Sequence, residues 1–558
     1  MTQGVAITGA GIVSSIGCNQ AEVWQSIVQQ RRGIGPMKYL SSTHRELPVG
    51  EVPMSNDEMK AALGIDASEE VSRTVLLGML AVRESLADAG LLSSEPHLKS
   101  RRVVLISGTT VGGMDITEQH IADLSAGKGD ADCIKTHDGG STTQLIADYF
   151  GCFTACTTLS TACSSAANAL MLGARLIAHG EADIVVAGGT EALSRFHFAG
   201  FHSLMILDQA PCKPFDAHRA GLNLGEGAAT MVLQHGGIVS SEQPLWALMA
   251  GSIHNDAYHI SAPSKQGEGA YLALCDVVAG QEADALAVIN AHGTATFFND
   301  QMESMAIMRA GLSQVPVNAL KGTYGHTLGC AGVLETVLTA FALEQHTLLG
   351  TRGFHALGVS GKIHVQADAI PTQKQAFVKM LSGFGGCNAA LRMERLRPKH
   401  DAVATVLRPD VRVMHELILS PQRCICDGKA IAFDANEDEP LTALYKTHLE
   451  SYPKFYKMDG LSKLGFVASA LLLQAEAHED AFAGSRRGIV FFNQSSSIST
   501  DKCYYATIAD AENYYPSPAH FVYTLPNIVT GEVAIQQQCH GETSFYCWEK
   551  RSEKLFNE

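Results

Sequence analysis

The sequence predicts a globular α/β protein, and three observations support this prediction. Strand-like apolar runs alternate with longer helical patterns from Met1 to about Arg397. The apolar runs are continuous, which is typical of strands in a sheet that is covered on both faces. Hydrophobic residues make up 46% of the 558 residues and charged residues 18%, which argues against disorder, collagen-like repeats and coiled-coil rods.

The individual elements follow from local patterns. The predicted strands include 5–8 (VAIT), 102–106 (RVVLI), 184–187 (IVVA) and 287–290 (AVIN). The stretch from Ser164 to His179 is apolar on nearly every face and predicts a buried helix. The run Gly9-Ala10-Gly11 mimics the start of a dinucleotide-binding fingerprint, but Ser14 stands where the third glycine is expected, so we predict a tight turn.

The charge balance and the cysteine content exclude several classes of protein. Lys and Arg total 41 against 57 Asp and Glu, and this formal charge of −16 argues against a nucleic-acid binder. The 14 cysteines are too sparse for a disulfide scaffold and show no metal-ligand spacing, so we expect reduced thiols in a cytoplasmic protein without a metal site. No sufficiently long apolar run and no positively charged leader occurs, so we expect neither export nor a membrane span.

The composition changes near Pro398, and a second unit is predicted to begin at about residue 400. Three segments of this tail repeat three front segments in order and at similar spacing: 462–467 repeats 72–77, 486–490 repeats 101–104, and 534–541 repeats 146–151. The tail is therefore predicted to be a partial second copy of the front. Coincidence between two ordinary helix–strand–helix stretches is the alternative.

One cysteine stands between a predicted strand end and the buried helix. In the run 159–166 (LSTACSSA), Cys163 comes directly before the helix N-terminus. The helix dipole and unpaired backbone N–H groups lower the pKa of a thiol at such a position, so we expect a nucleophilic thiolate. A lone cysteine is more often a small buried hydrophobe, and the case for Cys163 depends on later segments.

Two histidines and a glycine-rich run provide that context. His292 follows an apolar strand, at the strand end where α/β proteins build their sites. His326 lies in a glycine-rich loop, five residues after Lys321. The run 383–386 (GFGG) gives a flexible backbone whose N–H groups can approach a reacting oxygen closely.

These segments resemble the β-ketoacyl synthase family of the thiolase superfamily over about residues 1–395. The resemblance rests on six segments in the right order: 161–165 (TACSS), 214–221 (PFDAHRAG), 255–259 (NDAYH), 292–296 (HGTAT), 325–332 (GHTLGCAG) with Glu335, and 383–388 (GFGGCN). It implies a duplicated five-layer αβαβα fold, in which half 1–240 carries the cysteine and half 241–398 carries both histidines. Residues 399–558 would form a truncated synthase-like α/β module without catalysis of its own.

The resemblance implies a role for each site residue. Cys163 would hold the acyl chain as a thioester, and His292 and His326, as neutral imidazoles, would donate hydrogen bonds to a malonyl thioester oxygen during decarboxylation. Lys321 would support the histidines, with Glu335 behind it. The other implied roles are the N–H groups of Cys163 and Phe384 as the oxyanion hole, Phe384 and Val111 as gates of the acyl pocket, Thr294 and Thr296 as contacts of a phosphopantetheine arm, and Asn388 as a substrate-binding residue.

The Cys-His-His set favours chain elongation within this superfamily. A thiolase needs a second cysteine as acid or base, and CoA-priming synthases use Cys-His-Asn, whereas His326 occupies the third position here. The predicted reaction joins a Cys163-bound acyl group to malonyl on acyl carrier protein, in fatty-acid, polyketide or aryl-polyene synthesis. No bound cofactor is expected, because phosphopantetheine enters as the arm of the carrier. Ser382 and Cys387 depart from the family pattern, which affects the expected pocket shape.

A non-condensing partner similar to a chain-length factor is the alternative function. Such partners commonly lack the nucleophile, which this chain keeps at Cys163. The resemblance also implies a homodimer, or a heterodimer with a synthase-like partner. Small synthase-like modules such as the tail accompany ketosynthases in clusters for aryl-polyene and flexirubin-type pigments. The tail position that corresponds to Cys163 is predicted at Glu553, so no second nucleophile is expected.

Overall fold

The computed structural model describes residues 5–92, 98, 100–110, 112–128, 134–235, 244–396, 412–434, 439–476, 487–510 and 514–548. The strands are β1 Val5–Ser14, β2 Val103–Gly108, β3 Ala155–Leu159, β4 Ile184–Glu191, β5 Gly227–Gln234, β6 Leu245–Asn255, β7 Val288–Asn290, β8 Pro316–Asn318, β9 Thr347–Leu348, β10 His364–Val365, β11 Ile370–Pro371, β12 Ala376–Ser382, β13 Cys387–Leu396, β14 Leu417–Ser420, β15 Arg423–Cys426, β16 Lys429–Ile431, β17 Ile489–Asn493 and β18 Thr543–Cys547.

The helices are α1 Gln20–Val28, α2 Asn56–Leu63, α3 Arg73–Asp88, α4 Met114–Ser125, α5 Gly139–Phe150, α6 Ser165–Ala178, α7 Arg195–Ser203, α8 Glu268–Val278, α9 Phe297–Arg309, α10 Lys321–Tyr324, α11 Ala331–Glu344, α12 Pro440–His448, α13 Gly460–Gln474, α14 Ile498–Ala506, α15 Pro518–Tyr523 and α16 Ile528–Gln537. Short 3₁₀ turns occur at Ala283–Ala285, Leu328–Cys330, Phe384–Gly386 and Pro453–Lys457. Within the described ranges, no helix has both the length and the apolar character needed to cross a membrane.

Two five-stranded halves form the main body of the protein. The order β3-β2-β4-β5-β1 makes the first half, and β6-β13-β12-β7-β8 makes the second, with β10 outside β8. Among the described residues, the β-ladder pairs that join the halves are Val5 with Leu248 and Ala6 with Ala247. The helices α6 and α11 contact strands of both halves and lie between them. This layered, duplicated arrangement confirms the predicted α/β fold class.

Parallel strands bring the site residues to one place. In the first half, β2 runs parallel to β3 and β4, so their carboxyl ends lie at one edge, where Cys163 follows β3. In the second half, β7 runs parallel to β8 and β12. His292, His326 and Phe384 follow the carboxyl ends of β7, β8 and β12. The strand ends of both halves thus supply the candidate site.

The buried helix predicted over 164–179 is confirmed as α6. Ala166, Leu170 and Ala174 on this helix are almost completely buried. Because α6 has sheet strands on more than one side, an apolar surface nearly all round it is stable there. Its N-terminus is therefore held rigidly beside Cys163.

The turn predicted at Gly9-Ala10-Gly11 is wrong, because these residues lie inside β1. A Cβ atom at Gly11 would lie 2.1 Å from the carbonyl oxygen of Ala81, and one at Gly9 would lie 2.4 Å from that of Ser85. Both carbonyl groups belong to α3. The glycines therefore allow close packing of a helix on a strand, and they do not bend the chain.

The tail extends the same sheet. Strand β18 pairs antiparallel with β3 through Tyr546 with Leu159 and Cys547 with Thr158. Strand β17 pairs parallel with β18, as β2 does with β3, so a local two-fold arrangement relates the two pairs. A small separate sheet of β14, β15 and β16 packs near α13. The predicted boundaries after residues 240 and 398 lie outside the described residues and stay predictions.

Candidate active site

Cys163 lies in the turn between β3 and α6. Ala162 has a φ of 51°, in the left-handed region that non-glycine residues adopt rarely, so the chain turns sharply before the cysteine. The turn is fixed by Ser165 Oγ, which donates to the Ala162 carbonyl oxygen at 2.6 Å, and by Ser164 Oγ, which donates to the Thr161 carbonyl oxygen at 2.8 Å. The half-buried side chain of Cys163 lines a cavity of about 470 Å³.

The cavity brings the predicted catalytic side chains together. Cys163 Sγ and a ring nitrogen of each of His292 and His326 all lie within 4.8 Å of one another. His326 Nε2 is 3.1 Å from Cys163 Sγ, and the two imidazole rings pack edge to face. The predicted residues in its wall are Cys163, His292, Thr294, Thr296, His326, Phe384 and Asn388. Val111 lies outside the described residues, and the expected absence of a metal stays a prediction.

Lys321 fixes the tautomer of His292. Its Nζ lies 3.3 Å from His292 Nδ1 and 2.6 Å from the His292 carbonyl oxygen. An ammonium group can only donate, so Nδ1 accepts and the ring proton is on Nε2. Burial and the neighbouring Lys321 charge lower the pKa of His292 well below its usual value. His292 is therefore a neutral imidazole with a free Nε2–H donor.

A buried cluster of charges holds Lys321. Glu335 on α11 accepts a hydrogen bond from Lys321 Nζ at 2.7 Å with one oxygen, and its other oxygen pairs with Lys379. Lys379 also donates to the carbonyl oxygen of Ala291 at 3.0 Å. All three charged side chains are fully buried. Sequence analysis missed Lys379, although a lysine inside the apolar strand β12 was the available signal.

A second buried carboxylate positions the loop that carries His292. Glu303 on α9 accepts hydrogen bonds from the backbone N–H groups of His292 at 2.6 Å and Gly293 at 2.7 Å. Burial raises the pKa of Glu303 to about 7, against these two hydrogen bonds. The peptide chain at His292 is therefore held from one side by Glu303 and from the other by Lys321. Glu303 was also missed from the sequence.

The predicted low pKa of the Cys163 thiol is wrong. Burial raises the pKa of Cys163 to about 12, although the Lys321 charge opposes this effect. Desolvation of the thiolate outweighs the helix N-terminus. His326 Nε2, 3.1 Å from Sγ, is the group placed to accept the thiol proton. Burial lowers the pKa of His326 well below its usual value and keeps its ring neutral. Its Nδ1 has no hydrogen-bond partner among the described residues, so neither tautomer is fixed.

Four further polar residues of the cavity wall form two short contacts. Thr294 Oγ1 and Thr296 Oγ1 lie 2.8 Å apart. Asn388 Oδ1 accepts a hydrogen bond from Ser382 Oγ at 2.8 Å. Ser382, which departs from the family pattern, also lines the cavity.

Two further cysteines could have supported a thiolase-like mechanism. Neither Cys330 nor Cys387 belongs to the described cavity wall, and both are buried. Cys387 Sγ instead lies within hydrogen-bond distance of Ser164 Oγ, at 3.3 Å. Burial raises the pKa of both thiols. The geometry therefore gives neither cysteine the role of a second acid or base.

The tail forms the wall behind Phe384. Val522, Leu525 and Ile528 form one apolar cluster with Ala162, and Phe384 packs against it. Ala162 directly precedes Cys163. The tail therefore contacts both the turn that carries Cys163 and the turn that carries Phe384.

An aromatic cluster continues this wall beside α7. A Cβ atom at Gly200 would lie 2.1 Å from the ring of Phe521, so the two are in close contact. The ring centroids of Phe521 and Phe201 are 5.4 Å apart, and Phe201 in turn stacks on Phe384 at 6.2 Å. Tyr504 packs on the outer side of Phe521 at 5.4 Å. No motif in the sequence signalled this contribution of the tail.

Comparison with known families agrees with this geometry. Residues 2–236 match the family model described as Beta-ketoacyl synthase, N-terminal domain, and residues 247–355 match Beta-ketoacyl synthase, C-terminal domain. The two matches together cover more than half of the chain. The chain therefore belongs to the β-ketoacyl synthase family.

Individual relatives cover the chain up to the tail. A putative mitochondrial 3-oxoacyl-[acyl-carrier-protein] synthase from Schizosaccharomyces pombe is 30% identical over an alignment of 421 residues, which covers 69% of this chain and 98% of the relative. The 3-oxoacyl-[acyl-carrier-protein] synthase 2 of Rhizobium meliloti (strain 1021) is 30% identical over an alignment of 428 residues, which covers 70% of this chain and 98% of the relative.

Two solved structures show the extent of the structural likeness. A ketosynthase in complex with its chain length factor from Xenorhabdus doucetiae has a TM-score of 0.60 and 28% identity, covering 71% of this chain and 98% of that chain. A keto synthase-chain length factor has a TM-score of 0.71 over 97% of this chain and 70% of that chain. Its identity of 14% supports a likeness of fold alone, and this likeness extends into the tail.

Proposed function

We propose that this protein is a β-ketoacyl-[acyl-carrier-protein] synthase, an acyltransferase that elongates acyl chains by decarboxylative condensation in the cytoplasm. The observation that carries the proposal is the meeting of Cys163, His292 and His326 in one cavity. Family membership and relatives named 3-oxoacyl-[acyl-carrier-protein] synthase support it. In this proposal, residues 1–240 and 241–398 form the two synthase halves, and 399–558 is the non-catalytic module.

The first half-reaction transfers the acyl group from its carrier to Cys163. His326 Nε2 accepts the thiol proton as Sγ attacks the thioester carbonyl carbon, and the carrier thiol leaves with that proton. The N–H groups of Cys163 and Phe384 hold the oxyanion that develops. The backbones of the two turns lie close together. A Cβ atom built on Gly383, the residue before Phe384, would be 3.2 Å from the Cys163 nitrogen.

The second half-reaction forms the carbon–carbon bond. His292 and His326 donate hydrogen bonds from Nε2 to the malonyl thioester oxygen and stabilise the enolate as CO₂ leaves. His326 can present this proton because its tautomer is not fixed. The enolate carbon then attacks the acyl carbonyl on Cys163, so that the new C–C bond forms as the C–S bond breaks. The released thiolate takes up a proton and regenerates the thiol.

Both substrates are proposed to arrive on acyl carrier protein. The phosphopantetheine arm would pass Thr294 and Thr296 and reach Asn388, and no other cofactor is required. A homodimer, or a heterodimer with a synthase-like partner, is also proposed, and the Xenorhabdus doucetiae ketosynthase was solved with its chain length factor. Because β18 already covers the outer edge of β3, such a partner would bind another surface. The pathway, whether fatty-acid, polyketide or aryl-polyene synthesis, belongs to this proposal.

A chain-length-factor-like partner without condensing activity is the second candidate. It is less well supported, because Cys163 is present and both histidines surround it. A protein of this second kind would not form an acyl adduct. The two candidates therefore differ in one covalent bond that can be measured directly.

Mass spectrometry of the intact protein tests the proposal. The chain is incubated with acyl carrier protein that bears an acyl group, and malonyl carrier is then added. We expect an acyl adduct on Cys163, followed by a 3-oxoacyl product and release of CO₂. The Cys163→Ala variant must show no adduct. Absence of the adduct in the unmodified chain, or its survival in Cys163→Ala, contradicts the proposal, and CO₂ release without a condensed product would indicate a decarboxylase-like variant.

A further inference from the structure

The turn Phe384–Gly386 carries one of the two N–H groups proposed for the oxyanion hole. Gly385 and Gly386 have φ values of 83° and 74°, both in the left-handed region. Glycine adopts this region without strain, and two glycines in succession leave the peptide planes of the turn free to rotate. The position of Phe384 in this turn therefore depends also on contacts that hold the turn from outside.

Residues of the synthase halves fix the second part of this turn. Asn255 Nδ2 donates a hydrogen bond to the Gly385 carbonyl oxygen at 2.8 Å. The backbone N–H of Asp256 donates to the Gly386 carbonyl oxygen at 2.8 Å. These contacts hold two of the three carbonyl groups of the turn. The Gly385 N–H also donates to the Ile260 carbonyl oxygen at 2.6 Å. The third carbonyl group is that of Phe384, the residue whose N–H is proposed for the oxyanion hole.

The tail supplies the contact to the Phe384 carbonyl group. Asn527 Nδ2 donates to this oxygen at 2.8 Å, and the Asn527 side chain is buried. Its Oδ1 has no hydrogen-bond partner among the described residues. A buried polar atom without a partner costs free energy. The unpaired oxygen of Asn527 therefore destabilises the fold, and the hydrogen bond that its amide group donates to Phe384 offers a reason for an asparagine at this position.

The helix α16, which begins next to Asn527, also touches the turn with its backbone. A Cβ atom at Gly531 would lie 2.7 Å from the Gly385 carbonyl oxygen and 2.8 Å from the Gly385 Cα. Only a glycine at this position allows the helix to approach so closely. The tail therefore has two independent contacts with the turn, one through a side chain and one through packing.

We propose that the tail positions the oxyanion-hole turn through Asn527, which holds the carbonyl end of the peptide between Phe384 and Gly385, the plane next to the one that carries the Phe384 N–H. This inference rests on the proposed condensing function. Asn527 touches no reacting atom and is a positioning residue. Acyl transfer uses the Phe384 N–H, whereas decarboxylation uses the imidazoles of His292 and His326. Loss of Asn527 is therefore expected to slow acyl transfer much more than decarboxylation.

Two rates measured on the full chain test this inference. One is the single-turnover acylation of Cys163 by acyl carrier, followed by intact mass, and the other is CO₂ release from malonyl carrier. For Asn527→Ala we expect an acylation rate about tenfold lower, since small misplacements of catalytic groups have effects of this size or larger, and decarboxylation within about twofold of the unmodified chain. Asn527→Asp, which has no amide donor, is expected to acylate as slowly as Asn527→Ala. Asn527→Ser, which keeps a hydroxyl donor, is expected to recover part of the acylation rate.

Matched variants separate positioning from a general loss of structure. Gly531→Ala is expected to slow acylation like Asn527→Ala, whereas Gly460→Ala, where a Cβ atom meets nothing within 4 Å, is expected to change neither rate. If Asn527→Ala does not fold, Gly531→Ala and Asn527→Ser decide the question. The inference is overturned if Asn527→Ala lowers acylation and decarboxylation equally. It is also overturned if the unmodified chain acylates and Asn527→Ala changes neither rate. Failure of the unmodified chain to acylate refutes the proposed function itself.

Discussion

Two regions of this protein have the same order of elements and different tasks. The front region from α3 to β3 and the tail from α13 to β18 each contain a long helix, a strand, further helices, and a second strand parallel to the first. The second strands, β3 and β18, meet antiparallel. The front continues into the turn with Cys163, whereas the tail packs behind that turn. The front region leads to Cys163, and the tail packs around the site that contains it.

Specific polar contacts join the two regions. His137, just before α5, lies 3.1 Å from Asp501 on α14, and both side chains are buried. The Arg175 guanidinium on α6 pairs with Glu542 at 2.7 Å. Contacts of this kind fix the register between the regions in addition to apolar packing. The two regions therefore contact each other through a strand pair, apolar packing and buried polar groups.

The largest expected difference between the two regions is the effect on the condensation rate of removing a thiol. Cys163→Ala is expected to lower the rate of condensation by at least about 10³-fold, because no other group can form the thioester. Cys547→Ala, which removes the buried thiol at the end of β18, is expected to leave the rate within about twofold. Both rates are measured by mass spectrometry of the carrier-bound product. A comparable loss in Cys547→Ala would remove the distinction between the copies.

The supporting role of the tail is tested by Phe521→Ala. We expect the free energy of unfolding to fall by about 3–5 kcal/mol, because the ring is fully buried against Gly200 and Phe201. Tyr515→Ala, at an exposed aromatic residue of the same tail, is the control and is expected to change it by about 0.5 kcal/mol or less. Denaturant unfolding measures both. Similar values for the two variants would show that the tail does not pack as a supporting wall.

The pH dependence of alkylation tests the raised pKa of the Cys163 thiol in the front region. Since the pKa of the Cys163 thiol is about 12, its thiolate fraction grows about tenfold for each pH unit between 7 and 9. We expect the rate of reaction with iodoacetamide to rise over this range without levelling. The rate is measured on the peptide that contains Cys163, in a Cys503→Ser background that removes an exposed thiol. A plateau below pH 9 would instead indicate the lowered pKa that the sequence suggested.

The smallest expected effect concerns the interface between the copies. Asp501→Asn weakens the buried hydrogen bond to His137 and is expected to lower the free energy of unfolding by about 1–3 kcal/mol. Asp284→Asn, at an exposed site, is the control, with an expected change of about 0.5 kcal/mol or less. A double-mutant cycle with His137→Asn then isolates the pair. Absence of any coupling energy would mean that this contact does not hold the copies together.

Much of the fold and the core of the site could be predicted from the sequence. Continuous apolar runs identified strands of the main sheet, and a helix without a polar face identified α6. Local patterns of this kind report burial directly. Cys163, His292 and His326 stood out because each follows an apolar strand or lies in a glycine-rich loop. The structure brings all three together, although 163 residues of chain separate the sulfur from the imidazole that contacts it.

The parts that could not be predicted depend on contacts between distant segments. The thiol pKa is set by burial from several elements, which a helix-terminus argument does not include. Gly9 and Gly11 have the spacing of a turn, yet their role depends on the approach of α3. Asn527 carries no local signal, because its partner is the Phe384 carbonyl group, 143 residues away in sequence. Lys379 was also missed, but it could have been found, since a charged residue in an apolar strand is visible in the sequence.

The pairing of β18 with β3 takes place within a single polypeptide. A strand supplied by a separate subunit would be lost on dilution, at a concentration set by the dissociation constant. A tethered strand stays at a high effective concentration whatever the amount of protein, and its ratio to the strand it covers is fixed at one to one by the gene. The wall behind the nucleophile is therefore synthesised together with the nucleophile, and no assembly step is needed to complete it.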